Sequence, residues 1–238
     1  MKRFSAALAA FLMLLFLGGC AAARIDTPVA VVFTNGNGDG SAFNEQYKEQ
    51  GYAVLKLDLG KKAMTDPRLN ELNSSGYQAV ALQSGALALG YEALDTQIGN
   101  AAFPVLSANI LDEEGEAEFQ PNEVITLEDG SRIGIFALTD PEGERLKGLE
   151  YLSGDQLFEA ARNQVKALKE RGCGMIICLS DLGAERAREL LLEVKGIHLL
   201  LEGAEDGALQ EQVGKTLLLA ARPDEPGFVL WRDGGFIK

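Results

Sequence analysis

A glycine-rich segment, residues 35–40, is the first stretch of the sequence whose residue types could do chemistry. Its side-chain oxygens alternate with glycines, as in a calcium-binding EF-hand loop. However, position one is an asparagine and position twelve is Gln46, so two carboxylates that hold the ion in such loops are missing. The glycines could also form a backbone nest for an anion, although neither a dinucleotide fingerprint nor a P-loop is present. We expect a plain glycine-rich turn.

Two cysteines and the only histidine of the chain are further candidates for chemistry. In an extended strand, the Cα atoms of Cys173 and Cys178 would be about 16 Å apart, and a disulfide tolerates about 7 Å at most. We therefore expect Cys178 to be a buried structural thiol, whereas Cys173, beside two glycines, could be accessible and take a redox role. His198 is expected to be a packed or partly exposed strand residue. Ser107 and Ser180 then lack an imidazole that would activate them as nucleophiles.

Short apolar runs rich in β-branched residues alternate with longer amphipathic stretches, which indicates an α/β fold. The runs predicted to be buried strands are Val29–Thr34, Ala53–Leu57, Ala79–Leu82, Val105–Ala108, Met175–Ser180, Ile197–Leu201 and Thr216–Ala220. The predicted architecture is a layered β-sandwich flanked by helices, in a single domain over residues 29–238.

Two helices and a hairpin connect these strands. One predicted helix begins at Ser153, with Gln156 at capping-box spacing, and ends before Gly172. Residues 184–194 form the second predicted helix. A hairpin signal, Asp-Gly at positions 129 and 130, lies between apolar runs over residues 124–128 and 132–138, and the acidic stretch around residues 112–118 is predicted to be a loop.

The first 19 residues have the three parts of an export signal. Two basic residues are followed by an apolar run over residues 6–17, which is shorter than the roughly 20 residues of a membrane-spanning helix. Two glycines then precede Cys20, and Leu-Gly-Gly-Cys resembles the lipobox of bacterial lipoproteins. The sequence therefore predicts a signal peptide over residues 1–19, a lipidated Cys20 and a tether over residues 20–28.

The charge of the chain bears on its partners and its location. The chain has 35 acidic and 22 basic residues, and loss of the two basic signal residues would change its formal net charge from −13 to −15. Such an acidic body excludes nucleic-acid binding, which needs Lys and Arg on phosphates, and leaves Cys20 as the attachment to the membrane. We expect the periplasmic face of an outer membrane, which Ala21 would permit, or otherwise the outer face of the cytoplasmic membrane.

Several segments resemble the N-terminal domain of the 5′-nucleotidase family, a branch of the calcineurin-like metallophosphoesterases. Residues 103–110, FPVLSANI, match a family segment letter for letter, and residues 128–142 resemble its GVKVGVIGLTTPE hairpin strand. Residues 164–179 resemble the helix and strand that precede its S-H-x-G motif. The resemblance runs from about residue 29 to the end, and it implies a metallophosphoesterase-like sandwich and metal-dependent phosphoester hydrolysis.

The resemblance also implies metal ligands, and this sequence departs from all of them. The family chemistry uses two metal ions about 3.5–4 Å apart, held by Asp and His from five loops. The positions at which those ligands are replaced are Gly36, Gly38, Lys61, Ser84, Gly85, Asp181, Ala204 and Asp206. We therefore expect no catalytic residue, no bound metal and no cofactor.

Three functions of different classes follow. The favoured one is a non-catalytic domain that binds or scaffolds an unknown protein partner or small ligand. An altered hydrolase would instead hold one Mg²⁺ or Ca²⁺ at a residual polar site drawn from Asn35, Asp39, Lys61, Asp181, Glu202 and Asp206. The third is a thiol redox protein. At the residual site, the Lys61 ammonium could replace the metal charge and pair with Asp181 and Asp206, or all three could be solvated loop residues.

Overall fold

Strands and helices alternate through the part of the chain described by the computed structural model, residues 23–36, 39–203, 209–222 and 225–237. The strands are β1 (Val29–Thr34), β2 (Ala53–Asp58), β3 (Ala79–Ala81), β4 (Val105–Leu106), β5 (Ile110–Leu111), β6 (Asn122–Thr126), β7 (Arg132–Leu138), β8 (Glu150–Tyr151), β9 (Met175–Ser180), β10 (Leu199–Gly203), β11 (Leu209–Val213), β12 (Thr216–Ala221), β13 (Gly227–Arg232) and β14 (Gly235–Ile237). The helices are α1 (Ser41–Glu49), α2 (Asp66–Ser75), α3 (Tyr91–Gly99), α4 (Gly154–Glu170) and α5 (Ala184–Glu193), with a 3₁₀ helix over Ser84–Leu89.

Two six-stranded sheets form the centre of the fold. The first has the strand order β14-β13-β1-β2-β3-β4, and the second has the order β11-β12-β10-β9-β7-β6. The strands β1 to β4 are parallel to one another, as are β7, β9, β10 and β12. The antiparallel strands flank these parallel sets. Each sheet therefore has one edge, called the carboxyl edge here, at which its parallel strands end.

The sheets pack face to face, and helices cover their outer faces. The core between the sheets contains Val31 and Leu57 from the first sheet and Ile135, Ile177 and Leu201 from the second, all at most 1% exposed. A second apolar cluster joins α4 and α5 to the second sheet, and others join α1, α2 and α3 to the first. Apolar burial of this kind stabilises the four layers. The predicted layered α/β sandwich flanked by helices is confirmed.

The strands, helices and hairpin predicted from the sequence are present, with shifted ends. β1 and β9 have the predicted bounds, whereas β10 begins two residues later than predicted, so that His198 precedes the strand. Ser153 is the N-cap of α4 but makes no side-chain capping bond; the capping-box prediction is wrong, because Gln156 donates only its backbone N–H, to the Ser153 carbonyl. The bounds of α1, α2 and α3 and the β13–β14 hairpin were not predicted.

The chain enters the fold at the amino edge, opposite the carboxyl edge. Ile25 is 1% exposed and belongs to the core between the sheets, and its carbonyl accepts a hydrogen bond from Trp231 Nε1 at 3.4 Å. Part of the predicted tether over residues 20–28 therefore belongs to the domain. The predicted signal peptide and Cys20 lie outside the described residues. No helix in the described ranges is both long and apolar enough to cross a bilayer.

Candidate functional site

Polar side chains collect where the parallel strands end, at the carboxyl edge of both sheets. Asn35, Thr139, Ser180 and Glu202 each lie at or just after the end of a parallel strand, and each is at most 1% exposed. In open α/β sheets, ligands bind at this edge. The arrangement of these groups therefore decides whether a site exists.

Side-chain contacts at this edge join the two sheets directly. The Asp181 carboxylate, after β9, accepts a hydrogen bond from the backbone N–H of Ser84, after β3, at 2.7 Å. Gln83 donates from Nε2 to Asn35 Oδ1 at 3.4 Å. Gly203 lies against both amides, since a Cβ added there would be 2.7 Å from Gln83 Nε2 and 3.4 Å from Asn35 Nδ2. These contacts bring the segments after β1, β3 and β9 and the end of β10 close together.

A second set of hydrogen bonds fastens the FPVLSANI segment to the opposite sheet. Thr139 donates from Oγ1 to the carbonyl of Leu82 at 2.7 Å, and its hydroxyl lies 2.8 Å from Ser107 Oγ. Asn109 accepts a hydrogen bond from the Thr139 N–H at Oδ1 and donates one from Nδ2 to the Thr139 carbonyl, each at 2.8 Å. Ser107 and Asn109 are fully buried, so in this chain they position the two sheets and do not face a substrate.

A buried ion pair, Asp58 with Arg68, lies at the carboxyl edge of the first sheet. Asp58, at the end of β2, accepts hydrogen bonds from Arg68 at 2.7 Å, from Thr34 Oγ1 at 2.6 Å and from the Gly60 N–H at 2.7 Å. Arg68 also lies 2.9 Å from Glu71. Burial raises the pKa of the Asp58 carboxyl, and Arg68 and the hydrogen bonds act in the opposite direction. This pair was not predicted from the sequence; its signal is an aspartate at the end of an apolar strand, since a buried carboxylate needs a partner.

Glu202, at the end of β10, is fully buried, and no ion pair joins it to a cationic side chain in the described part of the chain. Its Oε1 accepts a hydrogen bond from the Gly183 N–H at 3.0 Å, whereas its Oε2 has no hydrogen-bond partner among the described residues. Burial raises the pKa of Glu202 to about 7, and the neighbouring Asp181 raises it further, against hydrogen bonds that lower it. Burial also raises the pKa of Asp181. Both carboxyl groups are therefore biased toward the protonated form.

Three of the residues predicted to form a residual polar site, Asn35, Asp181 and Glu202, lie at the carboxyl edge. Asp39 accepts a hydrogen bond from the N–H of Ser41 at the start of α1, while Asn35, Asp181 and Glu202 have the separate partners given above. Lys61 begins the turn after β2, and no ion pair within 4 Å joins it to a carboxylate of the described residues. Of the two alternatives for Lys61, pairing with Asp181 is therefore not seen among the described residues, and Asp206 lies outside them.

The other replaced ligand positions fall partly at this edge and partly outside the described residues. Gly36 follows β1 directly, and Ser84 and Gly85 begin the 3₁₀ helix. Gly38, Ala204 and Asp206 lie outside the ranges that the structure describes.

The donor set at the carboxyl edge does not fit the two metal ions of the resembled family. Two-metal sites need several anionic or imidazole ligands that converge with free lone pairs. Here the backbone N–H groups of Ser84 and Gly183 point at the Asp181 and Glu202 carboxyls, and amide side chains occupy the space beside them. Across the described ranges, no three His, Cys, Asp or Glu side chains lie close enough together to hold an ion.

The two thiols and the histidine lie away from this edge. Cys178 is fully buried, as predicted, and Cys173 is only 5% exposed, so the prediction of an accessible Cys173 is wrong. Burial raises the pKa of both thiols. His198 is partly buried and accepts a hydrogen bond at Nδ1 from the Ile176 N–H at 3.0 Å, which confirms the packed or partly exposed residue. It lies at the amino edge, away from Ser107 and Ser180.

Several known proteins are similar to this chain in sequence or in fold. No protein-family model matches the chain. The 5′-nucleotidase of Diplobatis ommata is 30% identical over 178 residues, which are 67% of this chain and 30% of that protein. Calcineurin-like phosphoesterase YfkN from Bacillus subtilis superposes with a TM-score of 0.68 at 18% identity, covering 90% of this chain and 88% of that one. A 5′-nucleotidase precursor from Thermus thermophilus gives a TM-score of 0.69 at 19% identity, covering 89% of this chain and 53% of that one.

These likenesses give the chain the calcineurin-like phosphoesterase fold. Within that fold, its domain is 5′-nucleotidase-like, similar to the N-terminal domain of that family. The resemblance stated from the sequence is confirmed to that level. The chain spans less than a third of the length of the first curated relatives it matches.

Proposed function

We propose that the chain is an exported, lipid-anchored protein whose 5′-nucleotidase-like domain does not hydrolyse phosphoesters. It acts instead by binding a protein partner or a small ligand outside the cytoplasmic membrane. The observation that carries this proposal is the set of hydrogen bonds that joins the two sheets at the carboxyl edge. Those bonds occupy the groups that a metal site would need.

Two carboxyl groups show why a phosphoesterase mechanism is disfavoured. A cation at Asp181 would have to displace the Ser84 N–H, which donates at 2.7 Å. A cation at Glu202 would have to ionise a carboxyl whose pKa is about 7 and whose side chain is fully buried. Charge stabilisation by two cations is the main catalytic contribution in two-metal hydrolysis. Neither Asp181 nor Glu202 is arranged to hold such a cation.

The anchoring part of the proposal is supported by the lipobox-like sequence that ends at Cys20. Acyl chains on that residue would hold the protein at a membrane, since each buried CH₂ contributes roughly 0.8 kcal/mol and stable attachment takes more than one chain. The acidic composition of the chain supports attachment through lipid rather than through charge. The thiol redox alternative is not carried forward, because both remaining cysteines are buried.

Metal content and turnover test the catalytic half of the proposal. The full chain, extracted from bacterial membranes in an uncharged detergent, is dialysed against Mg²⁺, Ca²⁺, Mn²⁺ or Zn²⁺ and then against ion-free buffer. We expect far less than one metal ion per chain and no hydrolysis of AMP or bis(p-nitrophenyl) phosphate. An active 5′-nucleotidase in the same detergent is the positive control. Stoichiometric metal with turnover would instead support the altered hydrolase that holds one Mg²⁺ or Ca²⁺.

Fractionation tests the anchoring half independently. We expect the wild-type chain in the membrane fraction, with an acylated N-terminal peptide detected by mass spectrometry. Cys20→Ala should abolish acylation and processing, whereas Ala22→Ser, a matched change outside the predicted cleavage motif, should leave both intact. Identical peptide masses and fractionation for wild type and Cys20→Ala would contradict lipidation without bearing on catalysis.

A further inference from the structure

A cavity of about 830 Å³ opens at the amino edge of the two sheets, on the opposite side of the domain from the carboxyl edge. It lies where β10 and β12 begin and where the β13–β14 hairpin turns. Its volume falls within the roughly 300–1,000 Å³ of small-molecule sites. Since the residues of the proposed function lie at the other edge, this cavity has no role in it.

Aromatic and aliphatic side chains form the body of the cavity. The rings of Trp231 and Phe236 meet edge to face with centroids 4.9 Å apart, and the ring of His198 lies edge-on to Trp231 at 6.1 Å. Leu191 and Val213 add aliphatic surface. Such surfaces favour a ligand with a flat or flexible apolar body, since apolar area removed from water stabilises the complex.

The charge around the cavity is opposite to that of the whole chain. Among the described residues, its lining includes Lys195 and Lys215 and no carboxylate, although the chain has a formal net charge of −13. Lys215 is exposed in the turn between β11 and β12. Lys195 donates to the Leu191 carbonyl at 3.0 Å, at the end of α5. Asp233 lies in the neighbouring turn but is not part of the lining.

We propose that this cavity binds an amphiphilic anion, a small molecule with an apolar body and one negative group. The apolar body lies against Trp231 and Phe236, and the negative group lies beside Lys215 and Lys195. Shape and charge both support this class of ligand, because an acidic protein repels anions except where lysines offset its field. The cavity lies away from the carboxyl edge, so this proposal does not depend on whether the domain is catalytically inactive.

Tryptophan fluorescence gives a direct test, because Trp231 is the only tryptophan of the chain. The probe is 8-anilino-1-naphthalenesulfonate, an aromatic anion that accepts excitation energy from tryptophan. Its uncharged counterpart, N-phenyl-1-naphthylamine, reports the apolar contribution alone. The full chain is titrated in an uncharged detergent, whose micelles contribute the same background to every variant.

We expect saturable probe emission on excitation of Trp231. Lys215→Glu should raise the Kd of the sulfonate about tenfold, which corresponds to ~1.4 kcal/mol, and should leave the Kd of the uncharged probe within about twofold. Lys147→Glu makes the same charge change at an exposed residue outside the cavity lining. It should leave both values within about twofold.

Two results would overturn the proposal. One is the absence of saturable emission with the wild-type chain, and the other is an equal effect of Lys215→Glu and Lys147→Glu on sulfonate binding. Circular dichroism of each variant establishes that it is folded, and Lys215 is exposed in a turn, so its replacement leaves the core intact. If dodecanoate displaces the sulfonate while uncharged dodecanol does not, an aliphatic anion also fits the site, which supports the same assignment.

Discussion

Replacing Glu202 by glutamine removes a buried group that titrates and should change how the stability of the domain depends on pH. The carboxyl is fully buried at the end of β10, and its pKa is about 7 against an ordinary value of 4.5. The folded chain therefore binds this proton more tightly than the unfolded chain. Its stabilising contribution is fully present below pH 4.5 and is lost as the pH rises through about 7.

The size of this effect follows from the shift in pKa. Each unit is worth ~1.4 kcal/mol, so the wild type should lose roughly 2–3 kcal/mol from this group between pH 5 and 8. Glutamine keeps an oxygen for the Gly183 N–H and cannot titrate. It also places an amide where Oε2 has no partner, which adds a cost that does not vary with pH. The change with pH, and not the absolute stability, is therefore diagnostic.

Urea unfolding of both proteins at pH 5, 6, 7 and 8 measures this change. We expect the free energy of unfolding of Glu202→Gln, relative to wild type, to rise by the same roughly 2–3 kcal/mol from pH 5 to pH 8. Glu189→Gln makes the same chemical change on the exposed face of α5 and should give a profile parallel to wild type. A constant difference between wild type and Glu202→Gln across the range would refute a raised pKa for Glu202.

The remaining predictions concern stability and thiol access. Arg68→Met leaves Asp58 buried without its partner and should cost about 3–5 kcal/mol in urea unfolding; the further change Asp58→Asn should restore part of that loss, and no restoration would argue against the ion pair. Gly60 has a φ of +90°, and a Cβ there would lie 2.0 Å from the Ala81 carbonyl oxygen. Gly60→Ala should therefore cost about 3 kcal/mol or more of the free energy of unfolding. At Gly85 a Cβ meets no atom within 4 Å, so Gly85→Ala should cost under about 0.5 kcal/mol. In a Cys20→Ala chain, Cys173 and Cys178 should react with a disulfide reagent only after denaturation, and prompt reaction of that native chain would show that one of them is accessible.

The fold was predictable because the core strands carry continuous apolar runs. β1 and β9 are buried on both faces and were predicted with their observed bounds, since apolar runs of that length indicate a doubly covered strand. The helices α1 and α3 each bury one side chain, Tyr47 and Leu94. Their periodicity is therefore too weak to identify them from sequence. β13 carries a four-residue apolar run, residues 228–231, which was not assigned to a strand from the sequence.

The candidate site was less predictable, because its contacts join residues far apart in the chain. Nothing in the local sequence brings Asp181 to Ser84, since 97 positions separate the two ends of their hydrogen bond. A pairing of Lys61 with Asp181 was one of two alternatives, because the resemblance placed both near the lost metals. Proximity of aligned positions does not fix where a long flexible side chain points. Asp58 and Arg68 were missed for the related reason that burial of a charge is a tertiary property.

The hydrogen bonds between the two sheets join residues that are far apart in the chain, and they occur at both edges of the domain. At the carboxyl edge, the bonds of Thr139 to the Leu82 carbonyl and of the Ser84 N–H to Asp181 fix the distance between the sheets, because such bonds tolerate little change in length. At the amino edge, Trp231 Nε1 donates to the Ile25 carbonyl at 3.4 Å and the Thr27 hydroxyl donates to Asp129. Fluctuations that separate the sheets are therefore opposed at both ends of the domain.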